Sequence, residues 1–396
     1  MVSKSRAVTA KALQALLTRI GAQSSGTKAV LQERFRREID QSRLLNRHPT
    51  WEKSRPMDQK LRIMSVDMGI KNLAFCEAEI SYPAKDSLDA AMDILRWEKI
   101  NLIPAKDDTP SPPLDSEYSA QNTADAEDVD PYSLNNLSRI AYELVKNTIL
   151  AGAPDIILIE KQRWRSGGGS AVQQWTLRVN TLEGMIWAIL QTMCSERLVT
   201  QNKEANKVSE KERLYEVFGV DPKRVGNYWL GEKDIERLAL AEASSLTKPT
   251  PAADAHVKQD EDVTSPKKKT PSRSKAEKKA KISLLRAWLS ASPASTASCG
   301  STNTPTLSFT ISPGAQATQQ ALCLPRKSPR RKKDNDVDEI GPTELKKLDD
   351  ITDCFLQAAA WVSWESNRLQ LCEVFRGGKG EELDEGVMTE MVRIIE

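Results

Sequence analysis

The residues best suited to chemistry in this chain are carboxylates placed at the ends of apolar segments. Asp67 ends the run Ile63-Met64-Ser65-Val66 and precedes Met68-Gly69, and Glu160 ends the run Ile156-Ile157-Leu158-Ile159. Asp349-Asp350-Ile351-Thr352-Asp353 opens a third apolar segment. A carboxylate beside a buried sheet is costly to desolvate unless a cation or a donor compensates it. Two such strand ends in one sheet therefore suggest a shared compensator. On a helix, Asp353 can share a face with Asp349 or with Asp350, because residues three or four apart are neighbours there. Oxygen ligands without histidine suit hard cations such as Mg²⁺, with Mn²⁺ able to substitute. Two such ions can activate water and stabilise the leaving oxygen in phosphodiester hydrolysis. Taken singly, Asp67 reads as a turn aspartate, Glu160 as a salt-bridged strand end, and Asp349 and Asp350 as charges favoured at a helix N-terminus. Their combination and order carry the metal-site expectation.

Composition narrows the alternatives. The chain has 396 residues, only two histidines (His48 and His256), and six cysteines with no Cys-x-x-Cys pair. Zinc-ribbon and histidine-rich metal sites are excluded, and a disulfide framework is not expected. No apolar run approaches the roughly 18–20 residues of a membrane span, and no organic cofactor is expected. The apolar fraction of 39% lies below the usual globular share, which predicts that part of the chain is unpacked.

The elements that must position the carboxylates read as an α/β core. Strands are predicted at 62–67, 72–80 and 97–102, and a helix at 134–150. The fully apolar 156–159 predicts a buried central strand. A long helix is expected over about 171–193, a short strand at 198–200 and a helix at 210–218. A docked helix at 282–289 and a final helix at about 344–364 complete the core. Acidic, Pro-rich or Ser/Thr/Lys-rich composition predicts disordered insertions at about 104–130, 244–280 and 290–338. Residues 367–396 read as a C-terminal tail. The first acidic residue is Glu33. The basic N-terminus before it reads as a targeting segment or as a helix pair over 1–45, with Leu13, Leu16, Leu17 and Ile20 at helical spacing and Gly21 as a stop, and a targeting role can coexist with that pair.

With these residues in place, a family resemblance follows. The run from Ile63 to Ala74, Ile63-Met64-Ser65-Val66-Asp67-Met68-Gly69-Ile70-Lys71-Asn72-Leu73-Ala74, resembles the first motif of the RuvC-like Holliday junction resolvases, and more particularly of their fungal mitochondrial branch. Ile159-Glu160-Lys161-Gln162-Arg163-Trp164-Arg165-Ser166-Gly167-Gly168 is similar to the second motif, and Lys346 through Phe355 to the third. The resemblance implies a ribonuclease H-like mixed sheet flanked by helices, a catalytic domain over 60–366, a homodimer, and Mg²⁺-dependent paired incision of four-way DNA junctions. It implies Asp67, Glu160, Asp350 and Asp353 as catalytic metal ligands, with Asp349 as the alternative to Asp350. The N-terminal pair also resembles a SAP motif, a small DNA-binding module, through Leu13, Leu16, Gly21, Gly26, Thr27, Lys28, Leu31 and Arg34.

Lys161, Arg163 and Arg165 alternate with Gln162 and Trp164 directly after Glu160. They suit phosphate binding and stacking on an unpaired base, whereas a solvated basic loop is the bland reading. Lys28 and Arg34 would add duplex contact through the SAP-like pair. Trp175, Leu182, Ile186 and Ile189 share one helix and read as core or dimer interface. The basic runs at 267–269, 278–279 and 330–333 read either as salt-dependent DNA contacts or as solubilising, nuclear-localisation-like segments. The location expected from the resemblance is mitochondrial, with the nucleus as the alternative. Rival functions are a ribonuclease H-like nuclease with another substrate, and a branched-DNA-binding scaffold without cleavage.

Overall fold

The structure, a computed structural model, describes residues 8–39, 60–82, 87–103, 130–162, 174–203, 214–231, 273–290, 295–297, 305–323, 348–377 and 385–395. In chain order its elements are α1 (Ala10–Arg19), α2 (Lys28–Ile39), β1 (Leu61–Asp67), β2 (Leu73–Ser81), β3 (Ala90–Ile100), α3 (Leu134–Leu144, continued by one π-turn over Val145–Ile149), β4 (Ile156–Glu160) and α4 (Gln174–Lys203). These are followed by β5 (Glu216–Val220), α5 (Arg273–Ser290), β6 (Ser295–Ala297), β7 (Leu307–Ile311), α6 (Pro313–Cys323), α7 (Leu348–Gly377) and α8 (Glu385–Ile395). Residues 222–231 are also helical.

One sheet of order β5-β4-β1-β2-β3-β7-β6 carries the fold. β1, β2 and β3 form an antiparallel meander, while β4 pairs parallel to β1 and β5 parallel to β4. This is the mixed, helix-flanked sheet that the carboxylate-bearing motifs imply. Both faces are covered, which explains why β1 and β4 carry apolar residues on both faces rather than alternating. On one face Met64, Val66, Ile157 and Ile159 pack with Leu137 and Ala141 of α3 and Leu182 and Ile186 of α4. On the other, Ile63, Ile156 and Leu158 pack with Leu285 of α5 and with Ile351, Phe355 and Ala358 of α7. Leu182 and Ile186 are thus core residues, whereas Trp175 is 42% exposed and sets its ring edge-on to Tyr132.

Helices α1, α2 and α8 gather around the C-terminal half of α7, where Leu13, Leu17, Leu31 and Phe35 meet Leu371 and Met391. The expected helix pair is formed by α1 and α2, while residues 1–7 of the basic N-terminus lie outside the described residues. Gly21 closes α1 at φ +67°, and Ala22 N–H donates to the Leu17 carbonyl at 2.8 Å, a Schellman-type end. A Cβ at Gly21 would lie 2.2 Å from the Trp364 ring, so the close approach of α7 requires glycine there.

Several expectations are corrected. The expected helix at 210–218 is replaced by β5, because Val217, Phe218 and Val220 suit a strand and β4 offers a parallel edge. The expected strand at 198–200 lies inside α4, where continuation of a formed helix outweighs the β-propensity of Val199 and Thr200. The expected insertion at 244–280 ends earlier, at Arg273, where α5 begins. The expected insertion at 290–338 contains β6, β7 and α6, and β7 extends the sheet parallel to β3. Leu307, Phe309 and Ile311 alternate with Ser308 and Thr310 there, a strand pattern hidden by the surrounding Ser/Thr/Pro composition. The expected tail at 367–396 instead holds the end of α7 and α8. Most of the expected insertion at 104–130 lies outside the described residues.

The inclusion of β7 in the core is testable. Phe309 is buried, with its ring 5.5 Å from Trp288 and 5.2 Å from Phe355. Phe309→Ala should destabilise the protein by about 3–5 kcal/mol in a denaturant titration; a loss under about 0.5 kcal/mol would mean that β7 is a dispensable surface segment.

Candidate metal centre

Sheet parity brings the first two carboxylates together. Side chains alternate along a strand, and Asp67 has the parity of Ile63 and Ser65, while Glu160 has the parity of Ile156 and Leu158. Ile63, Ile156 and Leu158 all face α7. The parallel register pairs Val66 with Ile159, so its next step sets Asp67 beside Glu160 at the C-terminal ends of both strands. Such ends, at the edge of a buried sheet, are where α/β folds leave room for ligands.

The third carboxylate arrives on α7, whose seating is fixed by polar contacts on either side of it. Trp97 Nε1 donates to the Ile351 carbonyl at 2.8 Å, and Ser65 Oγ donates to the Cys354 carbonyl at 2.8 Å. One turn beyond Asp353, Gln357 is buried and its Nε2 donates to Ser65 Oγ at 3.0 Å, with the carbonyls of Val66 and Leu158 at 3.3 and 3.4 Å. Gln357 thereby ties α7 to the last third of β1 and the middle of β4. Sequence reasoning missed it; the available signal was one amide inside the apolar stripe of Ile351, Phe355, Ala358 and Val362.

Asp67, Glu160 and Asp353 each present one carboxylate oxygen within 4.8 Å of the others. Burial pushes Asp67 well above the usual carboxylate range, and the charges of Glu160 and Asp353 push it further. Asp353 is also raised, chiefly by burial, against the opposing pull of Lys281. A set of hard oxygen donors, with Asp67 buried and the other two partly buried, gathered without a histidine, fits a hard divalent cation.

The aspartate doublet divides. Asp350 lies outside the 4.8 Å set, but its charge acts on Asp67. Asp349 forms an ion pair with Lys278 at 2.5 Å. Two lysines of α5 reach the site, Lys278 from the basic run at 278–279 and Lys281 just past the expected insertion. Lys278 meets Asp349, and the buried Lys281 sets its Nζ 3.0 Å from Asp353 and 3.4 Å from Glu277. Burial alone would lower the Lys281 ammonium, but Asp353, Glu277 and Glu160 outweigh it and leave the group above the usual lysine value. No motif marked Lys281 in the sequence.

Of the expected DNA-contacting residues, Lys161 leaves β4 beside Glu160. Its N–H donates to the Val220 carbonyl at 2.9 Å, and its stem lies over Gly219, where a Cβ would come within 2.5 Å of Lys161 Cε. Gln162 N–H donates to Glu183 Oε2 at 3.3 Å, which anchors the strand exit to α4. Arg163, Trp164 and Arg165 lie outside the described residues. Lys28 opens α2, and Arg34 Nη1 donates to the carbonyls of Gln23 and Ser25 at 2.6 and 2.7 Å, bracing the loop between α1 and α2.

Comparison with known proteins follows the same residues. The chain is 28% identical over 174 residues to a mitochondrial cruciform cutting endonuclease of Schizosaccharomyces pombe, an alignment spanning 44% of this chain and 55% of that protein. It is 25% identical over 320 residues to the cruciform cutting endonuclease of Saccharomyces cerevisiae, spanning 80% of this chain and 72% of that one. The chain thus matches only about half the length of the first of these relatives. The crystal structure of the yeast mitochondrial Holliday junction resolvase Ydc2 superposes with a TM-score of 0.45 at 18% identity, covering 93% of this chain and 99% of that one. The family described as mitochondrial resolvase Ydc2 / RNA splicing MRS1 matches residues 63–371, from β1 into the C-terminal half of α7, and to that family the chain belongs.

Proposed function

We propose that this protein is a metal-dependent endonuclease that resolves four-way DNA junctions by paired, symmetric phosphodiester hydrolysis, acting as a homodimer in mitochondria. The observation that carries the reading is the convergence of Asp67, Glu160 and Asp353 from three chain-distant elements. Membership in a family described first as mitochondrial resolvase supports it, as do two relatives named mitochondrial cruciform cutting endonucleases.

In this reading Asp67, Glu160 and Asp353 hold divalent cations, Mg²⁺ in the first instance with Mn²⁺ as substitute, and Asp350 adds negative charge beside Asp67. Bound there, the ions supply Lewis-acid activation of water and charge stabilisation at the scissile phosphate. The protein's own part is positional. β1 and β4 fix two ligands on a rigid edge, and Gln357 and Ser65 seat the third. Lys161, Arg163 and Arg165 bind phosphates next to the acidic site, which would otherwise repel a polyanion, while Trp164 stacks on an unpaired base at the branch point. The SAP-like pair, with Lys28 facing the duplex and Arg34 holding its loop, adds sequence-independent affinity. Two-fold symmetry suits a junction with two equivalent strands, each subunit cutting one.

Because the family description also covers an RNA splicing protein, binding without cleavage is the second reading. A synthetic four-way junction assayed in Mg²⁺ distinguishes them. Wild type should nick opposed strands in preference to linear duplex or RNA–DNA hybrid. Glu160→Gln and Asp353→Asn should bind the junction and lose at least about a hundredfold in cleavage rate. Tight binding by wild type with no nicking in Mg²⁺ or Mn²⁺ would favour the scaffold; preferential cutting of the hybrid would favour a different nuclease.

The cluster also makes a stability prediction. Asp67→Asn keeps the shape and removes the buried acid whose ionisation the site opposes. In metal-free buffer at neutral pH the variant should melt above wild type, by about 2–4 °C for each kcal/mol relieved. Adding Mn²⁺ should raise wild type by ligand linkage and leave the variant nearly unmoved. A variant that melts below wild type without metal would show that the Asp67 charge is already compensated within the protein.

A further inference from the structure

α5 runs from the end of an expected insertion into an expected docked helix, and it delivers a cation into the acidic centre. The Lys281 side chain is only 8% exposed, with Nζ 3.0 Å from Asp353 Oδ1. Its helix is held there independently of that contact. Leu285 is fully buried against the sheet, Ala276 and Ala280 are buried, and Trp288 packs edge-on to Trp229. Burying an ammonium is costly without a partner, and a cluster of carboxylates repels itself without a cation; each group here answers the other's need. Glu277, one turn back on α5, offers the same ammonium a second acceptor at 3.4 Å and is itself partly exposed.

We propose that Lys281 is a resident counter-cation of the acidic centre, holding Asp353 when no divalent ion is bound and competing with divalent ions for that carboxylate. The inference rests on the metal-binding reading of Asp67, Glu160 and Asp353. Entry of a divalent ion at Asp353 displaces the ammonium toward Glu277, a short move at the end of a flexible four-carbon stem. Divalent affinity is therefore set by an exchange of one cation for another, and the centre stays assembled between turnovers. The competitor is built into the chain, so its effective concentration is fixed by α5 rather than by solution conditions.

Calorimetric titration of the full chain with Mn²⁺ alone, without DNA, tests this. Lys281→Met retains the stem and removes the charge; it should bind Mn²⁺ about tenfold more tightly than wild type and melt lower in EDTA. Lys281→Arg keeps the charge and should bind no more tightly than wild type. Glu277→Gln removes the fallback acceptor from a partly exposed position, away from the proposed ligands, and should bind several-fold more weakly. Mn²⁺ affinity in Lys281→Met equal to or weaker than wild type would overturn the inference while leaving the metal site intact. If Lys281→Met does not fold, unchanged affinity in Glu277→Gln would overturn it. If neither wild type nor Lys281→Met takes up Mn²⁺, the metal-site reading itself falls, whereas uptake only by Lys281→Met supports the competition in its strongest form.

Discussion

Three carboxylates cannot share one buried sheet edge unless something answers the repulsion among them. Unit charges about 4 Å apart repel by about 4 kcal/mol at an effective dielectric constant near 20, a sizeable fraction of a typical folding stability. The oxygens of Asp67, Glu160 and Asp353 meet within 4.8 Å, so the fold holds them together at a cost that its packing must offset. The raised proton affinity of Asp67 is the local sign of that cost, set by burial first and by Glu160 and Asp353 after it. Lys281 lightens it at Asp353 without removing it at Asp67, which leaves a site biased toward multivalent cations.

The surrounding architecture resists this repulsion with directional contacts. Apolar packing alone would let α7 slide or rotate over the sheet, since hydrophobic contact is non-directional. Trp97 to the Ile351 carbonyl, Ser65 to the Cys354 carbonyl, and Gln357 to β1 and β4 select one seating. Each would leave a buried polar group unsatisfied if α7 moved, a penalty of about 1–3 kcal/mol apiece. The carboxylate of Asp353 sits between these anchors, so the helix cannot relieve the repulsion by backing away. Preorganisation of this kind is what the proposed phosphodiester hydrolysis requires.

The legibility of the sequence divides along the same line. β1 and β4 could be read because their residues are apolar on both faces, and the carboxylate ending each one stood out against that run. α7 could be read from its stripe, and the three carboxylates did converge. What could not be read depends on partners distant in sequence. β5 looked helical until β4 supplied an edge, and the alternation in β7 was diluted by Ser and Thr on the side away from the core. Lys281 stood just past the basic run at 278–279 with no signal of its own, and the packing of Leu285 and Trp288 turns it inward. Of the aspartate doublet, spacing left both members open, and the ion pair of Asp349 with Lys278 separates them.

The inserted segments are consequently tied to the centre by more than connectivity. Phe309 of β7 stacks on Trp288 of α5, Trp288 packs edge-on against Trp229, and Trp229 Nε1 donates to the Leu356 carbonyl of α7 at 3.0 Å. Phe309 also meets Phe355 of α7 directly. A chain of aromatic contacts thus runs from the added strand through α5 to the helix that carries Asp353. Lengthening the connections on either side of α5 costs little, because loop-closure entropy grows only with the logarithm of length. Changing the aromatic contacts would move α5, and with it the ammonium of Lys281. In physical terms the low-complexity stretches can vary freely in length, while the few residues that dock from within them are held as strictly as the core they join.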